Sequence, residues 1–162
     1  MFTPTAVSSD VLSNYEQLRS QAIALIEADV PMVTNVANLV ALLAYYVPDL
    51  NWVGVYFLEG DTLYLGPFQG LPACTTIEIG KGVCGTAAAQ QQTMNVKDVH
   101  QFEGHIACDG ASNSELVIPI IKDNELLGVL DIDSPLFDRF QAMDQTQLEQ
   151  LVKEFTSKLE NR

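Results

Sequence analysis

The sequence predicts a single α+β domain built on an antiparallel sheet, and three observations carry that expectation. Helical periodicity is confined to the two ends of the chain, the middle switches to a period of two, and turn residues separate the β-like runs at hairpin spacing. With 162 residues, 48% of them apolar and 18% charged, the chain holds material for one core. Residues 1–162 are therefore read as one domain, its core spanning 15–155.

Apolar side chains at Val11, Leu12, Tyr15, Leu18, Ala22, Leu25 and Ile26 recur at three- and four-residue steps, which predicts a helix over 11–28 capped by Ser9 or Asp10. A second helix is expected from Asn35 to Tyr46 through Val36, Leu39, Val40 and Leu43, closed by Pro48. Asn51–Leu58 and Thr62–Leu65 are rich in β-branched and aromatic residues, with Glu59-Gly60-Asp61 as the turn between them. Ile77 and Ile79 predict a short strand before a glycine-rich turn, and Ala87–Gln92 a short helix after it. Leu116–Ile121 and Glu125–Asp133 form another hairpin around Lys122-Asp123-Asn124. A last helix, capped near Asp144, presents Leu148, Leu151, Val152, Phe155 and Leu159.

Eight basic against 21 acidic residues leave a net charge of −13, which repels nucleic-acid phosphates and anionic membrane surfaces alike. The longest apolar run, Leu39–Val47, is less than half of the about 20 residues a bilayer span requires. The segment MFTPTAVSSD has no basic stretch followed by an apolar one, so no secretory signal is read and a cytoplasmic location is expected. The three cysteines are an odd number; without a secretory route they argue against a structural disulfide framework and leave at least one thiol free.

Several residues carry possible chemistry. Gly80-Lys81-Gly82-Val83-Cys84-Gly85 satisfies GxGxxG, but it follows a hairpin and opens only a short helix, so a dinucleotide site is not expected. The glycines place Cys84 near a helix N-terminus, where the amide dipoles are expected to lower its pKa. Cys108 lies in a long polar segment between strands, and Cys74 sits in loop sequence beside Pro72. Asp131 and Asp133 share one face of the last strand and extend an apolar stripe through Leu127 and Val129, which suggests a pocket wall. With a three-residue turn and Asn124 left-handed, Ile121 pairs with Glu125, and Glu115 falls opposite Asp131 on that same face; a two-residue turn moves Glu115 to the other face. Three converging acids suit an ammonium group, with one acid of raised pKa available as proton donor. His100, His105 and Cys108 match no standard zinc spacing, so no metal is expected, and nothing marks the oxyanion hole of a Cys–His–Asp hydrolase. Both histidines are read as plain loop residues, and Trp52 and Tyr56 as core or pocket lining.

NWVGVYF at 51–57, GKGVCGTAA at 80–88, HIACDGASNSELVIPI at 105–120 and GVLDIDSP at 128–135 resemble the free methionine-(R)-sulfoxide reductases, a family on the GAF fold. The resemblance runs from about Tyr15 to Phe155; its last motif marks only a GAF domain, whereas the two cysteine motifs are specific to the reductases. It implies a six-stranded antiparallel sheet with two N-terminal helices and one C-terminal helix on one side, and often a homodimer. It implies Cys108 as nucleophile, Cys84 as resolving cysteine and Cys74 as a further redox cysteine. Glu115, Asp131 and Asp133 match the acids that hold the ammonium and sulfoxide groups of free methionine sulfoxide, and Trp52 and Tyr56 the aromatic side where the S-methyl end packs. The implied reaction passes through a sulfenic acid and an intramolecular disulfide, needs no cofactor or metal, and draws its electrons from thioredoxin. Backbone N–H groups around Leu116–Ile118 are the expected partners of the substrate carboxylate. The competing readings are a binding-only GAF domain, which needs no loop cysteines, and a thiol redox sensor, which needs neither Asp131 nor Asp133.

Overall fold

The computed structural model describes residues 2–106 and 110–159. Helix α1 (Val11–Ala24) starts at Asp10, whose carboxylate accepts from the backbone N–H of Ser13, and ends earlier than its apolar periodicity suggests. Helix α2 (Met32–Tyr46) begins three residues before the predicted start, directly behind Pro31. The chain then runs through β1 (Trp52–Glu59), β2 (Thr62–Gln69), β3 (Thr76–Glu78), α3 (Gly82–Gln90), β4 (Met94–Val96), a 3-10 turn at Val99–Gln101, β5 (Ser114–Lys122), β6 (Glu125–Ser134) and α4 (Ala142–Lys158). Strand β4 and the 3-10 turn have no counterpart in the sequence reading; three-residue elements carry too few periods to be seen.

The six strands form one sheet in the order β3-β2-β1-β6-β5-β4, and each pairing is antiparallel. Helices α1, α2 and α4 cover one face. They bury Leu18, Leu39, Leu43, Leu148, Leu151 and Phe155 against Val53, Val55, Leu116, Ile118, Leu130 and Ile132 of β1, β5 and β6. Each fully buried side chain of this size contributes about 1.5–3 kcal/mol. The opposite face carries Trp52, Tyr56, Leu63, Val117 and Val129, covered by Val83, Ala87 and Ala88 of α3. The central strands are thus buried on both faces, which is why their sequences read as nearly continuous apolar runs.

The β5–β6 hairpin differs from the expected register in an instructive way. Lys122 pairs with Glu125, so the turn has two residues, Asp123 and Asn124, both at positive φ as a tight hairpin turn requires. That turn alone would send Glu115 to the helical face. A β-bulge intervenes: Ile121 pairs with Leu126 but Ile120 with Gly128, leaving Leu127 as the extra residue. Beyond it, Glu115 lies opposite Asp133 and Val117 opposite Asp131. The expected partner was therefore wrong by two residues while the face was right. The bulge also turns Leu127 to pack on the helical core, so it does not belong to the Val129–Asp131–Asp133 stripe.

Candidate active site

The site lies on the α3 face of the sheet, where β5, β6 and the N-terminus of α3 meet. The glycine turn closes through Gly80 N–H to the Gly85 carbonyl at 2.8 Å and Gly85 N–H to the Lys81 carbonyl at 3.0 Å. Gly82, at φ +60°, supplies the left-handed conformation that starts α3 there. The result is a cavity of about 20 Å³ lined by Ile77, Lys81, Gly82, Val83, Cys84, His105, Ile106, Ser112, Glu115, Asp131 and Asp133. All three acids expected at the site are brought together with Cys84.

Cys84 lies at the helix N-terminus as expected, but its pKa is raised rather than lowered. Cys84 sits in the first turn of α3, 4% exposed, its thiol donating to Oε1 of Glu115 with Sγ 4.0 Å from that oxygen. Burial pushes its pKa well above the ordinary thiol value, and the charges of Asp131 and Glu115 push it further. The partial charge at the end of a nine-residue helix is outweighed by lost hydration and two neighbouring acids.

Glu115 and Asp131 are 6% and 7% exposed. Burial raises the pKa of both well above the carboxylate range, with Asp133 repelling Glu115 and Glu115 repelling Asp131. Asp133, half-buried, is the cross-strand partner of both Glu115 and Trp52. The ring of Trp52 stacks on Tyr56 and on Phe68, with centroids 6.0 and 5.5 Å apart. Trp52 Nε1 donates to the Leu71 carbonyl and the Tyr56 hydroxyl to the Cys74 carbonyl, both at 3.1 Å. These aromatics form the floor beside the cavity rather than its lining, and they anchor the 71–74 loop. Burial raises the Tyr56 pKa, aided by Asp131, so its hydroxyl remains a donor.

The described cysteines differ in state: Cys84 is a free thiol, whereas the half-buried Cys74 is disulfide-bonded. Cys108 lies outside the described residues. The backbone of Leu116 and Val117 is paired to β4 on one side and β6 on the other, which commits those amides to the sheet, whereas Ile118 is paired to β6 alone. The first-turn amides of α3 have no side-chain cap, and Lys81 stands beside them at the cavity edge.

His105 was read as a plain loop residue, but its Nε2 lies 3.6 Å from Oε2 of Glu115, and burial lowers its pKa. The only hint available was its closeness to Cys108 in sequence. His100 bonds Asn113 instead, at 2.9 Å, and is not part of the cavity lining.

A family model described as GAF domain matches residues 28–159, and with this sheet order and cavity the chain is a GAF-domain protein. It is 51% identical over 138 residues to the free methionine-R-sulfoxide reductase of Escherichia coli (strain K12), across 85% of this chain and 84% of that protein. The structure described as fRMsr of Staphylococcus aureus in complex with substrate superposes with a TM-score of 0.86 at 49% identity, covering 96% of this chain and all of that one (100%). That of the free methionine-R-sulfoxide reductase from Neisseria meningitidis, also in complex with its substrate, gives 0.91 at 36% identity, covering 97% and 95%. Within the GAF proteins, the chain belongs to the family of the free methionine-(R)-sulfoxide reductases.

Proposed function

We propose that the chain reduces free L-methionine (R)-S-oxide to L-methionine. The observation that carries this reading is the group of Glu115, Asp131 and Asp133 on one strand-pair face, where burial and mutual repulsion favour a proton or a cation over a third negative charge. The substrate's ammonium supplies the cation. An acid that retains its proton supplies what a sulfoxide oxygen needs before it can leave. The first-turn amides of α3 and the ammonium of Lys81 receive the carboxylate at the opposite end of the amino acid.

The Cys108 sulfur attacks the sulfoxide sulfur as the oxygen is protonated. The S–O bond breaks, the oxygen passes to Cys108 as a sulfenic acid, and methionine leaves reduced by two electrons. A second thiol then condenses with the sulfenic acid, releasing water and forming a disulfide. We assign that step to Cys74 in place of Cys84. Cys74 is disulfide-bonded here, while Cys84 is buried in a helix with its thiol held protonated, which makes it a poor attacker. A dithiol partner of the thioredoxin type returns both cysteines to thiols. The same reading includes a cytoplasmic setting and a homodimer; among the described residues no helix is long and apolar enough to cross a membrane.

The test is turnover of free methionine sulfoxide with thioredoxin, thioredoxin reductase and NADPH. Steady NADPH oxidation that disappears in Cys108→Ser and falls at least tenfold in Asp131→Asn or Asp133→Asn is expected. Methionine binding without turnover would leave a binding domain and overturn the assignment.

A further inference from the structure

The mechanism leaves Cys84 without a redox task, yet it is buried and lines the cavity. Its Sγ, one carboxylate oxygen of Glu115 and one of Asp131 all lie within 4.8 Å of one another, and all three residues are buried. A second observation points to a ligand. Oδ1 of Asp131 is buried and has no hydrogen-bond partner among the described residues, and Asp131 lines the cavity. Leaving such an atom unpaired is costly unless something else occupies the space beside it. The cavity, about 20 Å³, holds one water-sized body.

We propose that Cys84, Glu115 and Asp131 form a single-ion site for a divalent cation of the zinc class, bound through Sγ, one Glu115 oxygen and Oδ1 of Asp131. One sulfur and two oxygens are too few and too soft for magnesium or calcium, which take six or more oxygens, but they suit a tetrahedral ion that keeps its fourth position open. Tetrahedral bonds of ordinary length place ligand atoms roughly 3–4 Å apart, so side-chain rotation closes the set from its present spread. Binding exchanges the Cys84 thiol proton, and any proton on the two acids, for the metal; the protons leave to solvent and no electrons move. His105, on the far oxygen of Glu115, orients that ligand from behind. The ion occupies the place that the proposed function gives to the substrate ammonium, so on that reading metal and substrate compete.

Cobalt(II) tests the site without reference to turnover. Reduced, chelator-treated protein titrated with Co²⁺ is expected to take one equivalent, with a thiolate-to-cobalt charge-transfer band in the near ultraviolet that Zn²⁺ abolishes. Cys84→Ser should lose the band, Asp131→Asn should weaken binding at least tenfold, and Cys74→Ser should retain the band. Circular dichroism verifies folding, and Glu115→Gln replaces either site variant that fails it, with at least tenfold weaker binding expected. Absence of the band in the unaltered protein, its survival in Cys84→Ser, unweakened binding in the acid variant or loss of the band in Cys74→Ser overturns the proposal. In a separate assay, Zn²⁺ should raise KM for methionine sulfoxide and leave kcat unchanged. If the protein has no reductase activity, that assay is silent and the Co²⁺ result still decides the site.

Discussion

At the level of single residues, the site is governed by desolvation. Glu115 and Asp131 hold their protons in the folded chain at pH values where the unfolded chain, with ordinary carboxylates near 4.5 and 3.8, has released them. Above those values folding takes up protons, so stability falls as pH rises. The thermal midpoint of the unliganded protein should drop as pH rises above the ordinary carboxylate range, and Asp131→Asn should flatten that decline and stabilise the neutral-pH protein. A decline as steep in the variant as in the parent would show that Asp131 is ionised throughout. Desolvation also accounts for Cys84, whose place at a helix N-terminus suggests a reactive thiolate and whose burial produces a protonated thiol.

Among the secondary-structure elements, the β5–β6 bulge decides whether the site exists, because it returns Glu115 to the face of Asp131 and Asp133 after a two-residue turn. Gly128 permits the close approach to β1 beside it: a Cβ there would press into the backbone carbonyl of Tyr56. Gly128→Ala should therefore destabilise by about 2 kcal/mol or more, read from the urea midpoint, and lower methionine affinity together with it. Unchanged values for both would mean that β1 and β6 separate without consequence. On the other side of the sheet, one carboxylate joins two helices. Asp144 accepts from the Tyr15 hydroxyl at 2.5 Å and the Arg139 guanidinium at 3.1 Å, and caps α4 through the Gln141 N–H at 2.8 Å. With Asp144 4% exposed, Asp144→Ala strands a buried tyrosine hydroxyl and a partly buried cation, and about 3–5 kcal/mol should be lost in urea unfolding. A loss under about 1 kcal/mol would show that water replaces the carboxylate.

Across the whole molecule, the helical layer serves stability while the opposite face carries acids, thiol and glycine turn. An ammonium-bearing ligand entering such a site supplies the positive charge that takes the place of the protons the buried acids otherwise hold. Free L-methionine at a hundred times its Kd should add about 2.7 kcal/mol and raise the thermal midpoint accordingly. N-acetylmethionine, lacking the ammonium, should produce no comparable shift at the same concentration. Equal shifts would show that the acids do not hold the amino group, and selectivity for the free amino acid would need another origin.

Helix periodicity, the two hairpins, the turn residues and the pairing of Asp131 with Asp133 on one face were legible in the sequence by itself, because each depends on spacing within a few residues. The resemblance of its cysteine motifs was equally local. Tertiary structure alone decided the partner of Glu115, which hangs on one bulged residue, and the turning of Leu127 toward the helices. It also decided the protonation of Cys84, the commitment of the Leu116 and Val117 amides to β4 and β6, and the approach of His105 to Glu115. The physical reason is common to all of these: register, burial and repulsion are set by how the folded chain packs, which spacing along the sequence does not encode.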